Sequence, residues 1–149
     1  MKRRKEREFA LQILYALEYN DVSFSEQIEL LDKQYQFQNT EFARQLIKLV
    51  VENKDELDEL IKTQLHNWDF TRVAVIDRIL LRMALVEFGY FPDVPAEVTL
   101  NEVIEISKEF STDQSGKFLN GILDAILKKS REGKLEKPFK MYSESGKDK

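Results

Sequence analysis

Apolar residues recur at intervals of three and four positions along most of this chain, which is the spacing of one face of an α-helix. The pattern predicts an amphipathic helix over residues 4–19 and a second helix over residues 25–37, with Ser25 as its N-cap. Thr40 is the predicted N-cap of a third helix, in which a break is expected at Asn53. The first third of the chain is therefore expected to be helical.

The stretch 71–88 carries apolar residues on nearly every side, as a central helix buried by several neighbours does. Gly89 is expected to end this helix. The two prolines of the FPDVP segment then predict an extended connection, after which Thr99 and Glu102 have the spacing of a capping box. The helix that this box starts is expected to run to Phe110.

The last predicted helix opens at Ser115 and contains Gly121. Because an unneeded glycine inside a helix costs about 1 kcal/mol relative to alanine, Gly121 indicates a close crossing with a neighbouring helix. Only five glycines and three prolines occur among 149 residues. Since sustained alternation of apolar and polar residues is also missing, the sequence predicts an all-α fold.

Composition is typical of a single globular domain. The 149 residues are 42% hydrophobic and 34% charged, and a chain of this length buries about 70% of its unfolded surface. Cysteine is absent, which excludes disulfide frameworks and zinc–thiolate clusters. No run of about 18 apolar residues predicts a membrane span, and no apolar segment of a signal peptide follows the basic start. A cytoplasmic protein is expected.

Charge is distributed unevenly along the chain, although the net charge is only −4. Residues 1–7 hold five basic side chains and one acidic, residues 128–149 hold eight basic and four acidic, and the segment between them holds ten basic and twenty-two acidic. A polyanion would be held at a localised basic site and repelled by most of the remaining surface. The basic start fits either a phosphate clamp or a solvated terminus that favours solubility.

Five segments match a known family in order and spacing. They are RRKEREFALQILY, IDRILLRMALVEF, DVP, LNEVIEISKEF and SGKFLNGILDAI. Over residues 3–127 they resemble the NusB family of transcription antitermination factors, and the combination of NE-x-x-E-x-x-K with KF-x-NG-x-LD is specific. The resemblance implies about seven helices in two packed subdomains, which we place over residues 1–130. The polar composition of residues 131–149 predicts a flexible tail. The resemblance also implies binding of boxA-type single-stranded RNA with the ribosomal protein NusE and the transcription elongation complex, in support of ribosomal RNA transcription.

The resemblance assigns RNA binding to the basic start, where Arg3, Arg4, Lys5 and Arg7 match the arginine-rich N-terminus of the family. Arginine suits this task because its planar fork binds phosphate bidentately and stacks on bases. The N-terminal amides of a helix add positive potential nearby. These four residues are therefore the expected phosphate contacts.

The start of the last helix supplies a second candidate set, Gln114, Lys117 and Phe118. Periodicity alone favours Phe118 as a core residue and Lys117 as an ordinary surface charge. The resemblance implies instead that Phe118 stacks on an unpaired base and that Lys117 contacts a phosphate. Gln114 is a candidate hydrogen-bonding partner of a base.

Tyr15 and Asp77 align with family positions that receive the ribosomal partner. The alternative is a half-buried tyrosine and an ordinary acidic residue beside Arg78. An acidic body facing a basic ribosomal protein would speed encounter and orient docking. The partner role is therefore the expectation for both residues.

Catalytic and metal chemistry find no support in the sequence. Glycine-rich loops of the GxGxxG or GxxxxGK[ST] type are absent, and His66 is the single histidine. Glu102, Glu105, Glu109 and Asp113 recur at helical spacing, and a solvated face is expected because one helix stripe cannot converge the six oxygens of a hard-cation site. No catalytic residue, metal or cofactor is predicted. The alternatives left open are a protein-interaction module or homodimer, and an accessory domain related to that of ribosomal RNA methyltransferases.

Overall fold

The protein is all-α in the part of the chain that the computed structural model describes, namely residues 2–19, 23, 25–26, 29, 40–66 and 69–133. The helices with defined bounds are α1 (Arg3–Tyr19), α2 (Glu41–Lys62), α3 (Val75–Tyr90), α4 (Ala96–Phe110) and α5 (Ser115–Arg131). A 3-10 turn, Phe70–Arg72, precedes α3. No strand occurs among the described residues, so the predicted fold class is confirmed.

The second of these helices is continuous over 22 residues, and the break expected at Asn53 is wrong. The side-chain amide of Asn53 donates a 2.8 Å hydrogen bond to the carbonyl of Leu49. The polar group is thus satisfied along the helix and does not interrupt it. The apolar stripe of α2 is buried, as its spacing predicts.

The N-terminus of α2 is capped from another helix. Thr40 precedes α2, but its hydroxyl makes no cap and instead accepts a 2.8 Å hydrogen bond from Nε of Arg44. The carboxylate of buried Glu6 on α1 accepts a 3.3 Å hydrogen bond from the backbone N–H of Ala43, in the first turn of α2. A carboxylate at this end also interacts favourably with the helix dipole. The one acidic residue of the basic start therefore joins α1 to α2.

The centre of the fold is α3, as its apolar pattern predicts. Residues 79–89 are all buried, and the helix packs against each of the other four. The pair α1 and α2 and the pair α4 and α5 also pack internally, so α3 joins two helical groups through one hydrophobic core. The helix begins at Val75, because residues before it form the 3-10 turn, and it includes Gly89, which was expected to end it.

The fourth helix begins before the predicted capping box. It starts at Ala96 directly after Pro95, a residue that has no N–H to leave unpaired at a helix start. Thr99 lies inside the helix, where its hydroxyl donates a 2.8 Å hydrogen bond to Glu87 of α3. The capping role predicted for Thr99 and Glu102 is therefore wrong, and both side chains connect α4 to other helices.

The last helix opens at Ser115, as predicted, and ends at Arg131. Gly133 follows with a φ of 68°, a left-handed conformation typical of the residue after a helix. Gly121 does not mark a helix crossing, because a β-carbon added there would meet nothing within 4 Å. The close approach lies at Gly116, where an added β-carbon would be 3.4 Å from Ile104 of α4.

Seven helices were implied, and five have defined bounds in the described residues. The continuity of α2 accounts for part of the difference. The helix predicted over residues 25–37 lies mostly outside the described residues, as does the predicted tail beyond residue 133. Among the helices that are described, none is long and apolar enough to cross a membrane.

Candidate nucleic-acid interface

The basic start of the chain is part of a helix, because α1 begins at Arg3. Arg3, Arg4 and Lys5 are exposed. The guanidinium of Arg3 lies 4.1 Å from the centre of the Phe42 ring on α2, a cation–π contact that orients the side chain. Lys5 Nζ lies 3.4 Å from a carboxylate oxygen of Glu8. These cations are therefore presented from an ordered helix end.

Arg4 is paired with Glu102 of α4. Its Nε donates a 3.0 Å hydrogen bond to Oε1, and its Nη2 donates to Oε2 of the same carboxylate. This hydrogen bonding raises the pKa of Arg4 and lowers the pKa of Glu102. The prediction that the acidic stripe of α4 is a solvated face is therefore wrong for Glu102, whose side chain is only 21% exposed. It is confirmed for the other three members, which are exposed: Glu105, Glu109 and Asp113.

Arg7 has almost no surface to offer RNA, so the direct phosphate contact expected of it is wrong. Its side chain is 2% exposed, and its Nε and Nη2 donate to the fully buried carboxylate of Glu87 at 2.8 and 2.7 Å. Its Nη1 lies 3.4 Å from Oε1 of Glu102. A buried guanidinium needs such partners because an unpaired buried charge is strongly destabilising. Arg7 therefore ties α1 to α3 beneath the exposed cations.

The second candidate set surrounds the start of α5. Gln114 and Lys117 are exposed, whereas Phe118 is partly buried and packs against the core. Gln114 and Phe118 line a cavity of about 240 Å³, and Arg72 and Asp77 contribute to its other wall. Phe118 thus has both a core contact, as periodicity favours, and a face on this cavity.

The two candidate sets are connected through α4. Glu102 of α4 binds Arg4, and Ile104 lies against Gly116 of α5. Because each residue turns an α-helix by about 100°, Glu102 and Ile104, two positions apart, point about 200° away from each other around α4. The basic start and the start of α5 therefore contact different faces of α4, and this helix lies between them.

Asp77 is turned inward and holds the start of α5. It is 6% exposed, and its two carboxylate oxygens accept hydrogen bonds of 2.9 Å each from the hydroxyls of Ser111 and Ser115. Little of its surface is left for a partner protein. The direct partner contact expected of Asp77 is therefore replaced by a role in positioning α5. The alternative interpretation, an ordinary acidic residue beside Arg78, did not predict the hydrogen bonds from Ser111 and Ser115 either.

Tyr15 is exposed and stands beside Tyr19, with ring centres 5.0 Å apart. Tyr15 is 42% exposed and Tyr19 is 62% exposed. This exposure is compatible with the alternative of a half-buried Tyr15, and the partner role of Tyr15 stays a prediction. Arg78 of α3 is close enough for its charge to act on Tyr19 and on Glu18. The guanidinium of Arg78 itself lies over the ring of Phe70, 5.5 Å from the ring centre.

A buried arginine supports the surface below the two tyrosines. Arg82 donates hydrogen bonds of 2.7 Å to Asp58 and 2.8 Å to Glu18. Burial acts against the charge of Arg82, but these two hydrogen bonds outweigh it and raise the pKa of the guanidinium. Burial also acts to raise the pKa of Glu18, yet the hydrogen bond from Arg82 and the charge of Lys54 lower it. The carboxylate of Glu18 is thus held in its charged form.

Three side chains at this interface escaped sequence reasoning: Phe42, Arg72 and Glu102. Phe42 is a buried residue of α2, and nothing in the sequence shows that its ring face carries the guanidinium of Arg3. Glu102 sits in the NE-x-x-E-x-x-K segment, but one sequence does not show that this segment faces the basic start. Arg72 was expected to lie in the first turn of the central helix. It belongs instead to the 3-10 turn before that helix, and from there it lines the cavity.

The arrangement suits binding of an extended anion better than chemistry on one. In the described ranges, no group of three or more histidine, cysteine or acidic side chains is placed to hold a metal ion. Exposed guanidinium and ammonium groups lie at a helix N-terminus, where backbone N–H groups also favour anions. An aromatic ring beside a cavity adds a surface on which a flat group can stack.

Comparison with known proteins identifies the family of the chain. The chain matches the NusB family over residues 4–128. It is 42% identical over 127 residues to the transcription antitermination protein NusB of Bacillus subtilis, covering 85% of this chain and 95% of the relative. It is 39% identical over 127 residues to that of Oceanobacillus iheyensis, covering 85% of this chain and 99% of the relative.

Solved structures show the same fold. A T. maritima NusB structure superposes with a TM-score of 0.77 at 39% identity, covering 86% of this chain and 92% of that one. A structure of the antitermination factors NusB and NusE in complex with dsRNA gives 0.74 at 22% identity, covering 86% and 98%, and at that identity the likeness concerns the fold alone. With the family model, the sequence of the relatives and the overall fold in agreement over most of its length, the chain belongs to the NusB family.

Proposed function

We propose that this protein is a transcription antitermination factor whose single domain, residues 1–130, binds boxA-type single-stranded RNA together with NusE in support of ribosomal RNA transcription. The observation that carries the proposal is the ordered presentation of Lys2, Arg3, Arg4 and Lys5 at the N-terminal end of α1. These four cations stand out from a body in which acidic residues outnumber basic ones. Phosphates would be held at this end and repelled elsewhere.

The start of α5 supplies the base contacts in this proposal. Phe118 offers a ring face to an unpaired base, Lys117 offers a charge to the adjoining phosphate, and Gln114 offers an amide to a base edge. The cavity that Phe118 and Gln114 line measures about 240 Å³. It lies below the range of about 300–1,000 Å³ typical of sites for drug-sized ligands. A group the size of one base is therefore the occupant that we favour.

The partner surface in this proposal is the exposed pair Tyr15 and Tyr19 on α1. Tyrosine is enriched at the energetic centres of protein interfaces because it combines a large apolar ring with a polar end. NusE is the occupant that we propose for this surface, because the chain belongs to the NusB family. Action through binding rather than catalysis, in the cytoplasm where nascent RNA is made, follows from this assignment.

A titration with three RNAs, in the presence and absence of NusE, tests the proposal. The full chain is titrated with boxA-like single-stranded RNA, a scrambled strand of equal length and a duplex of the boxA sequence, each with and without NusE and at several salt concentrations. We expect salt-dependent binding that favours the boxA strand and strengthens when NusE is present. Equal affinity for the duplex would contradict the single-stranded assignment.

An interaction module without RNA binding is the second candidate function, and the exposed Tyr15–Tyr19 pair is the observation that favours it. In that case NusE, or a second copy of this chain, would bind while none of the three RNAs does. Sedimentation of the free chain over a range of concentrations detects the homodimer. Binding of the boxA strand by the monomer rejects this candidate.

A further inference from the structure

The guanidinium of Arg4 is already occupied by a carboxylate. Its Nε donates to Oε1 of Glu102 at 3.0 Å, and its Nη2 donates to Oε2. Two parallel hydrogen bonds from one edge of a guanidinium are also the geometry with which arginine binds a phosphate. The carboxylate therefore stands where a phosphate oxygen pair would stand.

The other exposed cations of the start are engaged differently. Arg3 lies over the ring of Phe42, which leaves the edges of its guanidinium uncommitted to that contact. Lys5 has a single 3.4 Å contact with Glu8. The two-pronged carboxylate contact thus falls on Arg4, which is still 46% exposed on its side chain and accessible to an incoming strand.

Glu102 is fixed from the protein interior. Nη1 of buried Arg7 lies 3.4 Å from its Oε1, and Arg7 is itself fixed by two hydrogen bonds to Glu87. The pKa of Glu102 lies below its ordinary value, chiefly because of the hydrogen bonds from Arg4, so the competing group is charged at neutral pH. A strand that captures Arg4 has to displace an anchored anion and not a mobile one.

We propose that Glu102 competes with the RNA backbone for Arg4. In the free protein the Glu102 carboxylate occupies the Nε and Nη2 edge of the guanidinium, here called the Arg4 fork, and on binding an RNA phosphate replaces it. The inference rests on the proposed function. This competition lowers the affinity for RNA below what the exposed positive charge alone would give. An RNA strand must therefore make its other contacts with the protein as well before it can displace Glu102 from Arg4. Glu102 is then a determinant of specificity, since RNA held only by charge gains less from Arg4.

The test uses Glu102→Gln with Glu105→Gln as a matched control. Each substitution removes one negative charge from α4, and the charges of both residues act on Arg4. Glu105, however, hydrogen-bonds Lys108 at 3.0 Å and does not occupy the Arg4 fork. Because an exposed ion pair is weak, we expect Glu102→Gln to bind boxA-like single-stranded RNA about two- to fivefold more tightly than the parent. The control should show a clearly smaller gain.

A charge-conserving variant separates fork occupancy from net charge. Glu102→Asp keeps the negative charge but withdraws it from Arg4 by one methylene, so it should also tighten RNA binding. In an Arg4→Ala background, neither substitution at Glu102 should have any effect, because the fork is gone. Thermal unfolding of each variant shows whether loss of the contact with Arg7 has altered the fold, and Glu102→Asp is the variant to rely on if Glu102→Gln unfolds early.

The proposal is overturned if Glu102→Gln binds RNA no more tightly than Glu105→Gln, or if either Glu102 variant binds less tightly than the parent. The second result would mean that Glu102 positions Arg4 for RNA. Failure of the proposed function gives a different result, since the parent chain itself would then show no salt-dependent RNA binding. The two failures are therefore distinguishable in one set of titrations.

Discussion

The guanidinium of Arg7 and the carboxylate of Glu87 form a bidentate ion pair, with hydrogen bonds of 2.8 and 2.7 Å, in the interior of the protein. Arg7 belongs to α1 and Glu87 to the central helix α3. Thr99 of α4 donates a further 2.8 Å hydrogen bond to the same carboxylate. Three helices therefore meet at one charged group, directly beneath the surface that we propose for RNA.

Breaking this pair should destabilise the fold strongly. Glu87→Gln takes away the bidentate counter-charge of the buried Arg7 guanidinium and leaves it the longer, 3.4 Å contact with Glu102. We expect the free energy of unfolding to fall by about 3–5 kcal/mol. Urea denaturation followed by circular dichroism measures the change. In the matched double variant Arg7→Met with Glu87→Met, both charges are gone and most of the loss should disappear. Equal instability of the two variants would show that packing, and not charge, is what the site requires.

The exposed arginines should matter to RNA and little to folding. Arg3→Ala with Arg4→Ala removes a ring contact and an exposed ion pair, so stability should change by about 1 kcal/mol or less. If Lys2, Arg3, Arg4, Lys5 and Lys117 each neutralise one phosphate, the log–log salt slope of the parent is about −3.5, and the double variant flattens it by about 1.4. Binding isotherms at five salt concentrations check this. An unchanged slope means that the basic start is only a solvated terminus.

Substitutions at the neighbours Lys117 and Phe118 should both weaken RNA binding, but only the loss of Lys117 should change its salt dependence. Phe118→Leu keeps an apolar side chain against the core but removes the aromatic face, so affinity should fall by about 1–3 kcal/mol with the salt slope unchanged. Lys117→Ala should flatten the slope by about 0.7. Both variants are titrated with the same single-stranded RNA. A stability loss in Phe118→Leu without any change in affinity would return Phe118 to a purely structural role.

The aromatic pair on α1 should govern binding of NusE. Tyr15→Ala removes an exposed ring that lies in tilted contact with the ring of Tyr19, and we expect the affinity for NusE to fall by more than about 1 kcal/mol. Tyr90→Ala is the control, since Tyr90 is similarly exposed but lies at the end of α3. Calorimetry with purified NusE measures both. If the two variants lose the same affinity, the partner surface has been misplaced.

Acid should weaken the fold in part through Glu102. Its pKa is lowered in the folded protein from an ordinary value of 4.5, so its contribution to stability is complete above that value and is lost as the pH falls through the lower folded pKa. Glu18 behaves in the same sense. Unfolding free energies measured between pH 7 and pH 3 should therefore fall below about pH 4.5. Glu102→Gln should show a shallower fall, and an identical pH profile would contradict the shift.

Helix positions were predictable from the sequence because burial imposes a periodicity that a single chain displays. The central helix is the strongest case, since residues 79–89 are apolar on nearly every side and are all buried. Helix ends were harder to place. Thr40 and Thr99 have the residue type of caps, but the caps depend on Glu6 and Pro95, and a long-range hydrogen bond such as that from Ala43 to Glu6 leaves no local signal.

Charged residues resisted prediction for a related reason. Arg4 and Arg7 are three residues apart in one basic run, yet one is exposed and the other is buried against Glu87. Which face of α1 meets α3 decides the difference, and composition carries no such information. Asp77 was likewise interpreted through its neighbour Arg78, although its two hydrogen bonds come from residues 34 and 38 positions further along the chain.

Because α1 is continuous, the direction in which the proposed RNA-binding arginines point around the helix is fixed by the residues that follow them. Arg3 and Arg4 belong to the same uninterrupted helix as Glu6 and Arg7, which are fixed in the interior. Each additional residue in a helix turns everything before it by about 100° and moves it by about 1.5 Å. A single alanine inserted between Lys5 and Glu6 would therefore rotate both arginines away from Phe42 and Glu102 while leaving the interior anchor intact. Exposed segments near chain ends usually tolerate insertions. In this segment an insertion would instead change the direction in which Arg3 and Arg4 point.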